Sequence, residues 1–370
     1  MLAETEDRAP PDAVSRPLAE NKAAGPGLTY VSYDQPGIRR RRAGRGFVYM
    51  SPGGRVTDQA VLARIRALAI PPAWRDVWIC DHADGHLQAI GFDARGRRQY
   101  RYHPEFRRAR EGAKFEHLLT FAEALPALRE RVAADMARPG LGREKVIATV
   151  VHLLETTMIR VGNTAYARDN KSYGLTTLRS RHVQVDGSAL RFQFKGKSGK
   201  VWRLDIRDRR VARIVKACQD LPGQHLFAYQ DGGGGQQTIT SSDVNAYLKG
   251  ATGRDITAKD FRTWNATVLT AEALSMAEAA TRKALNAVIK DVASRLGNTP
   301  TVCRASYIHP QVIDAWMSGE RLCAAAAVAN GAPSTFSEAE AAVLDFLRRR
   351  STTVDAGSCF DGDRDARSPR

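Results

Sequence analysis

Residues 182–206, HVQVDGSALRFQFKGKSGKVWRLDI, carry the pattern that most limits how this chain can fold. Apolar and polar residues alternate along three short runs, the period-two signature of strands with one buried face. Asp186-Gly187 closes one turn, and the glycines at 196 and 199 bracket the next. Such a three-stranded meander must have its apolar face covered, and its surroundings read as helix. LGREKVIATVVHLLETTMIRVGN sets Ile147, Val150, Val151, Leu154 and Met158 on one face, with Gly162 as the helix stop. SSDVNAYLKG reads as a short capped helix. The Ala-rich segment from KDFRTWNA to SRLGN reads as more than one helix. FSEAEAAVLDFLRRR reads as a last helix opened by a Ser337/Glu340 capping box. DGGGGQQ, residues 231–237, reads as a flexible loop.

Ahead of the helical part, GFVYM, DVWIC, HLQAIGFD and RRQYRYH are short runs of strand formers bounded by turn residues. TDQAVLARIRALAIPPAW reads as a helix capped by Thr57 and stopped by Pro71 and Pro72. The expected fold class is α+β. A small β-rich N-terminal domain spans 27–106, and a larger, mainly α-helical domain with the three-stranded β-sheet spans 107–350. Residues 1–26 and 351–370 lack periodicity and read as disordered.

No apolar run reaches the roughly 18 to 20 residues that span a bilayer. The N-terminal residues lack the basic start and apolar stretch of a signal peptide, so a cytoplasmic location is expected. The five cysteines are scattered without a CxxC pair, which points to neither a disulfide framework nor a zinc site. His82 and His86 have a helical metal-ligand spacing, but CDHADGHLQAIGFD reads as a turn entering a strand. No metal and no cofactor are expected. The formal charge of +16 argues for a polyanionic partner, nucleic acid first. A membrane surface fits less well, because the basic residues are spread through folded-looking segments.

Several polar residues stand at the ends of these elements, where side chains from distant segments can converge. They are Arg160, Lys197, Arg262, Asn298 and Tyr307. Taken singly, each has a commoner role: a helix-terminal cation, a turn lysine, a salt-bridge partner, a post-glycine turn residue, a core ring. Taken together they suit attack on a phosphodiester. Two arginine forks match the extra negative charge on the equatorial oxygens of a pentavalent phosphorus. An amide adds a donor, and a lysine on a turn can protonate the leaving oxygen. A tyrosine, whose ordinary pKa is about 10, becomes a usable nucleophile when cations stabilise its phenolate.

Over roughly residues 27–345 the chain resembles the type IB DNA topoisomerases, of the small poxvirus-like kind found in bacteria. IRVGNTAYARDNKSYGLTTLRSRHV, FQFKGKSGK, TAKDFRTWNA and RLGNTPTVCRASYIHP carry the resemblance, in the family's order. It implies that Arg160 and Arg262 are the catalytic arginines, Lys197 the general acid and Tyr307 the nucleophile. Asn298 stands where the poxvirus enzymes have histidine. GRRQYRYH resembles the family's major-groove strand, which implies DNA contacts for Gln99, Tyr100 and Tyr102. Alternate tyrosines on a strand also commonly pack on one sheet face. Asn163 and Tyr166 fall on further DNA-contact positions, Asn163 in place of a lysine. Lys259 stands three residues before Arg262, where tyrosine recombinases, the alternative family, usually carry histidine.

The resemblance implies the tyrosine recombinase/topoisomerase IB catalytic fold for the larger domain. The implied protein is a bacterial nucleoid-associated monomer whose two domains clamp double-stranded DNA. It would relax supercoils through a 3′-phosphotyrosyl intermediate, swivelling and religation, independent of ATP and metal.

Overall fold

The computed structural model describes residues 27–94, 96–231, 233–320 and 335–357. The disorder expected for 1–26 and 358–370 lies outside the described residues. The chain divides into two compact units between Lys114 and Phe115, whereas the sequence reading put the boundary near residue 106.

The first unit is built on a six-stranded antiparallel sheet in the order β3-β2-β1-β4-β5-β6. The strands are β1 (Ile38–Ala43), β2 (Gly46–Ser51), β3 (Gly54–Arg55), β4 (Arg75–Ile79), β5 (Leu87–Phe92) and β6 (Arg98–Tyr102). Strand β4 shows why the sheet is covered on both faces. Val77 and Ile79 pack with Ile65 of helix α1 (Gln59–Ala67), while Trp78 packs with Val31, Leu87 and Ile90. Helix α1 is capped by Asp58, not Thr57. The Asp58 carboxylate accepts from the amides of Ala60 and Val61 at 2.7 and 3.1 Å, and so takes two of the helix's orphan donors.

Strand β1, IRRRRA, has no apolar alternation and is not recognisable as a strand in the sequence. Backbone pairing to β2 and β4 makes it one. Its Arg40 lies 4.2 Å over the Phe47 ring and donates to the carbonyls of Ile70, Pro71 and Trp74.

Helix α2 (Pro104–Ala137) contains the boundary between the units. The second unit continues with α3 (Arg143–Thr157), α4 (Thr164–Asn170), the meander β7 (Val183–Asp186), β8 (Ala189–Lys195) and β9 (Val201–Arg207), and α5 (Arg209–Gln219). A hairpin of β10 (Ala228–Gln230) and β11 (Gln236–Thr238) follows. The chain then runs through α6 (Ser241–Thr252), α7 (Ala258–Ser275), α8 (Arg282–Leu296), α9 (Pro300–Ser306), α10 (Pro310–Met317) and α11 (Glu338–Gly357). The meander pairs as its alternation requires, β7-β8-β9 antiparallel, with Phe192 opposite Val183 and Leu204. Leu190, Phe192 and Phe194 face one large core with α3, α5 and Phe261, Trp264, Val268 and Ala271 of α7. A second core joins Ala266 and Leu274 of α7 to α8, α9 and α10 around Leu285, Ile289, Leu296, Cys303 and Trp316.

Three further expectations are corrected. Helix α3 ends at Thr157, and its cap is Met158 in the left-handed region (φ 57°), not Gly162. Residues 231–237 close a hairpin. Gln236 and Gln237 pair in β11, and the Asp231 carboxylate accepts from the amides of Gly233 and Gly235. Helix α11 runs to Gly357, past the expected start of a tail at 351. The alternating triplets and capping motifs report local preference, whereas helix ends are set by what receives their carbonyls.

Candidate active site

Four of the five candidate catalytic residues meet where helices α3, α7, α8 and α9 end or begin, and Arg262 organises the meeting. The Asp260 carboxylate opens α7 by accepting from the Thr257 amide at 2.8 Å. Arg262 follows in the next turn and is only 3 % exposed. One of its amino groups donates to the Met158 carbonyl, at the end of α3. The other donates to the Leu296 carbonyl, at the end of α8, at 2.7 Å. The last carbonyls of a helix lack intrahelical donors and carry the negative end of the dipole, so a buried guanidinium suits them. Each tethered carbonyl lies two residues before a candidate: Arg160 follows Met158, and Asn298 follows Leu296.

Those two side chains touch: Arg160 Nη2 donates to Asn298 Oδ1. An arginine only donates, so the contact fixes the amide with its oxygen toward Arg160. The Asn298 Nδ2 group then faces away, buried and without a hydrogen-bond partner. A buried donor left unpaired costs on the order of 1–3 kcal/mol, which a ligand oxygen would recover. The Arg160 backbone is held in turn by the loop before Leu175: the Leu175 amide donates to the Arg160 carbonyl at 2.9 Å. A Cβ on Gly174 would sit 2.5 Å from that carbonyl oxygen, so only glycine fits the approach.

Tyr307 caps the C-terminal end of α9, which Thr299 caps and Pro300 starts at the other end. Thr267, buried in α7, anchors the segment. Its hydroxyl donates to the Thr263 carbonyl at 2.8 Å, accepts from the His309 amide at 3.1 Å and lies 3.3 Å from the Tyr307 carbonyl. The Arg262 guanidinium lies 5.1 Å from the centre of the half-buried Tyr307 ring. Burial alone would raise the phenol's pKa. Arg262, by charge and hydrogen bonding, and then Arg160 and Lys259 outweigh it and hold the phenol below its ordinary value. Burial, and next the neighbouring Arg160, bring Arg262 down to about 10, so it stays cationic at neutral pH.

Lys197 is exposed in the turn between β8 and β9, and no hydrogen bond or ion pair joins it to the other four. Lys259 is exposed at the first turn of α7. Asn163 caps α4, its Oδ1 accepting from the Tyr166 amide at 3.1 Å, and both residues are exposed. Tyr166 is 47 % exposed. In the first unit, Gln99, Tyr100 and Tyr102 lie on the edge strand β6. The two tyrosines share a sheet face with their rings stacked 5.9 Å apart, and Gln99 donates to Asp93 at 3.2 Å. Thr267, Gly174 and the carbonyls of Met158 and Leu296 escaped the sequence reading. Backbone acceptors leave no residue-type signal, and a threonine inside a helix looks like any other.

Residues 103–321 match the family described as eukaryotic DNA topoisomerase I, catalytic core, and residues 46–93 match the bacterial DNA topoisomerase IB N-terminal domain. DNA topoisomerase 1B of Acanthamoeba polyphaga mimivirus is 33 % identical over 296 residues, which cover 75 % of this chain and 88 % of that protein. DNA topoisomerase 1B of Vaccinia virus (strain Copenhagen) is 24 % identical over 238 residues, 61 % of this chain and 71 % of that one. DNA topoisomerase 1 of Mycosarcoma maydis is 25 % identical over 173 residues, 42 % of this chain and 17 % of that one. No helix among the described residues is long and apolar enough to cross a membrane. With a catalytic-core match over more than half its length, the chain belongs to the type IB DNA topoisomerases.

Proposed function

We propose that Tyr307 is the nucleophile with which this topoisomerase breaks and reseals one strand of supercoiled duplex DNA. The observation that carries the reading is the convergence of Arg160, Asn298 and Arg262 beside a half-buried phenol whose pKa is lowered. In the cleavage step the phenol oxygen bonds to phosphorus as the bond to the sugar 5′ oxygen breaks. The phenol loses its proton to solvent as the cations hold its phenolate, and Lys197 supplies a proton to the leaving oxygen. Arg160 and Arg262 face the equatorial oxygens, and the unpartnered Asn298 Nδ2 donates a further hydrogen bond.

The products are a 3′-phosphotyrosyl ester and a free 5′ hydroxyl. The ester retains the energy of the broken linkage, so the 5′ hydroxyl can attack back after the duplex swivels, without ATP. Lys259 adds positive charge near the phenol. In this reading the second unit has the tyrosine recombinase/topoisomerase IB catalytic fold. Residues 27–106 form the DNA-binding domain, with Gln99, Tyr100 and Tyr102 on the duplex and Asn163 and Tyr166 on flanking backbone. The protein works as a monomer in the bacterial nucleoid.

The test is relaxation of a supercoiled plasmid with EDTA present. Wild type should relax it. Tyr307→Phe should bind DNA, relax nothing and form no covalent adduct. Relaxation at the wild-type rate by Tyr307→Phe would overturn the assignment.

A further inference from the structure

Gly196 raises a question that its backbone does not answer. Its φ of −94° and ψ of −167° suit any residue, yet a Cβ there would sit 2.7 Å from Trp202 Nε1 and 2.8 Å from Cδ1. The space, not the conformation, demands glycine. The same indole meets a second glycine: a Cβ on Gly297 would lie 2.9 Å from Trp202 Cζ2 and 3.5 Å from Nε1. The ring therefore lies close against two glycines. One immediately precedes Lys197, and the other immediately precedes Asn298. Phe194, opposite Trp202 in the β8–β9 register, braces it with a ring parallel to within 2° at 6.1 Å. The hairpin turn is closed on its own side, with the Gly196 amide donating to the Lys200 carbonyl at 2.7 Å.

We propose that Trp202 is a positioning residue. It sets where the Lys197 turn stands relative to the Arg160–Asn298 pair, and hence where the proton donor meets the leaving oxygen. The inference rests on the reading of Lys197 as the general acid. The Lys197 side chain is exposed and makes no hydrogen bond or ion pair among the described residues, so the backbone that carries it must supply the placement. Removing the ring leaves every proposed catalytic side chain present and takes away the contact between the hairpin and Gly297.

The experiment measures single-turnover formation of the covalent complex on a duplex containing a cleavage site mapped for this protein. The duplex is made with oxygen or with sulfur at the 5′ bridging position, because a sulfur leaving group needs no proton. Trp202→Ala should cleave the oxygen substrate about 10- to 100-fold more slowly, the scale of a misplaced catalytic group. It should cleave the sulfur substrate within about threefold of wild type, as expected when only general-acid assistance is lost. Trp202→Phe should keep most of the oxygen rate. Gly196→Ala should give the same pattern, because the backbone there tolerates alanine and the added Cβ meets the indole. It serves in place of Trp202→Ala if that variant does not fold. Adding Gly196→Ala to Trp202→Ala should cost nothing more, since the two act through one contact.

Equal slowing on both substrates, or wild-type rates on both, would overturn the positioning role. Lys197→Ala is run in parallel. If it is not rescued by sulfur, the general-acid reading itself fails and the proposal falls with it. If it is rescued while Trp202→Ala is not, only the role of Trp202 is lost.

Discussion

Arg262 carries two duties that pull in different directions. As a structural cation it fastens the ends of α3 and α8, and as the nearest charge to Tyr307 it favours the phenolate. Arg262→Lys keeps a charge but not the planar fork. Cleavage should fall by about 10²- to 10³-fold, the range for losing one transition-state donor, in single-turnover assays. A loss under threefold would contradict the central place given to the fork. The phenol offers a direct readout. In the difference between the alkaline absorbance titrations of wild type and Tyr307→Phe, one tyrosine should ionise below the ordinary phenol range, and Arg262→Lys should move it upward. The sign follows from an acid whose folded pKa is depressed. Its stabilising contribution is full above the unfolded phenol value and is lost as pH falls through the lowered folded value. Tyr307 and Arg262 themselves were legible only through the motifs around them. Asn298 was legible as a turn residue, but its orientation was not, because Arg160 dictates it from 138 positions away in sequence.

Helix α11 shows the same division at the scale of an element. The Ser337/Glu340 box was readable from spacing, and the structure has it: the Ser337 amide donates to Glu340 at 2.9 Å. The sequence was silent on the rest of that carboxylate's work. Glu340 also accepts from Arg129 of α2 at 2.7 Å and from the Trp264 indole of α7 at 3.1 Å, and Arg129 pairs in turn with Glu155 of α3. Three helices thus meet at one acid, and Arg129 brings in the fourth. Burial would raise the pKa of Glu340, but Arg129, the Ser337 amide and Trp264 bring it below the ordinary carboxylate value. Its contribution is therefore full above the unfolded value, about 4.3, and is lost as pH falls through the lowered folded value. Glu340→Gln should cost about 2 kcal/mol at neutral pH. It should also flatten the acid side of the stability profile in thermal melts from pH 7 to 3. An unchanged acid limb would remove the carboxylate from this account. The missed strand β1 is the opposite case, since its arginines hide a pairing that β2 and β4 impose.

At the scale of the whole molecule, the +16 charge was the plainest signal in the chain, and it belongs to binding more than to folding. Affinity for duplex DNA should fall steeply with salt, about 10³-fold between 50 and 200 mM if some six phosphates are neutralised. Fluorescence anisotropy across that range measures the slope, and a flat response would show that charge neutralisation does not drive binding. The alternating triplet of residues 182–206, the capped helices and the excess of arginine are local or additive properties. Residue order alone therefore determined the α+β class, the meander and a polyanionic partner. It also determined which short segments bear the reactive residue types. The active site is neither local nor additive. Arg160, Arg262, Asn298 and Tyr307 come from four separate elements, and their distances depend on which helix ends share a guanidinium and which glycines admit an indole. Only the packed chain brings together those carbonyls, that unpaired amide and the cations around one phenol, because charge acts through space and not along the backbone.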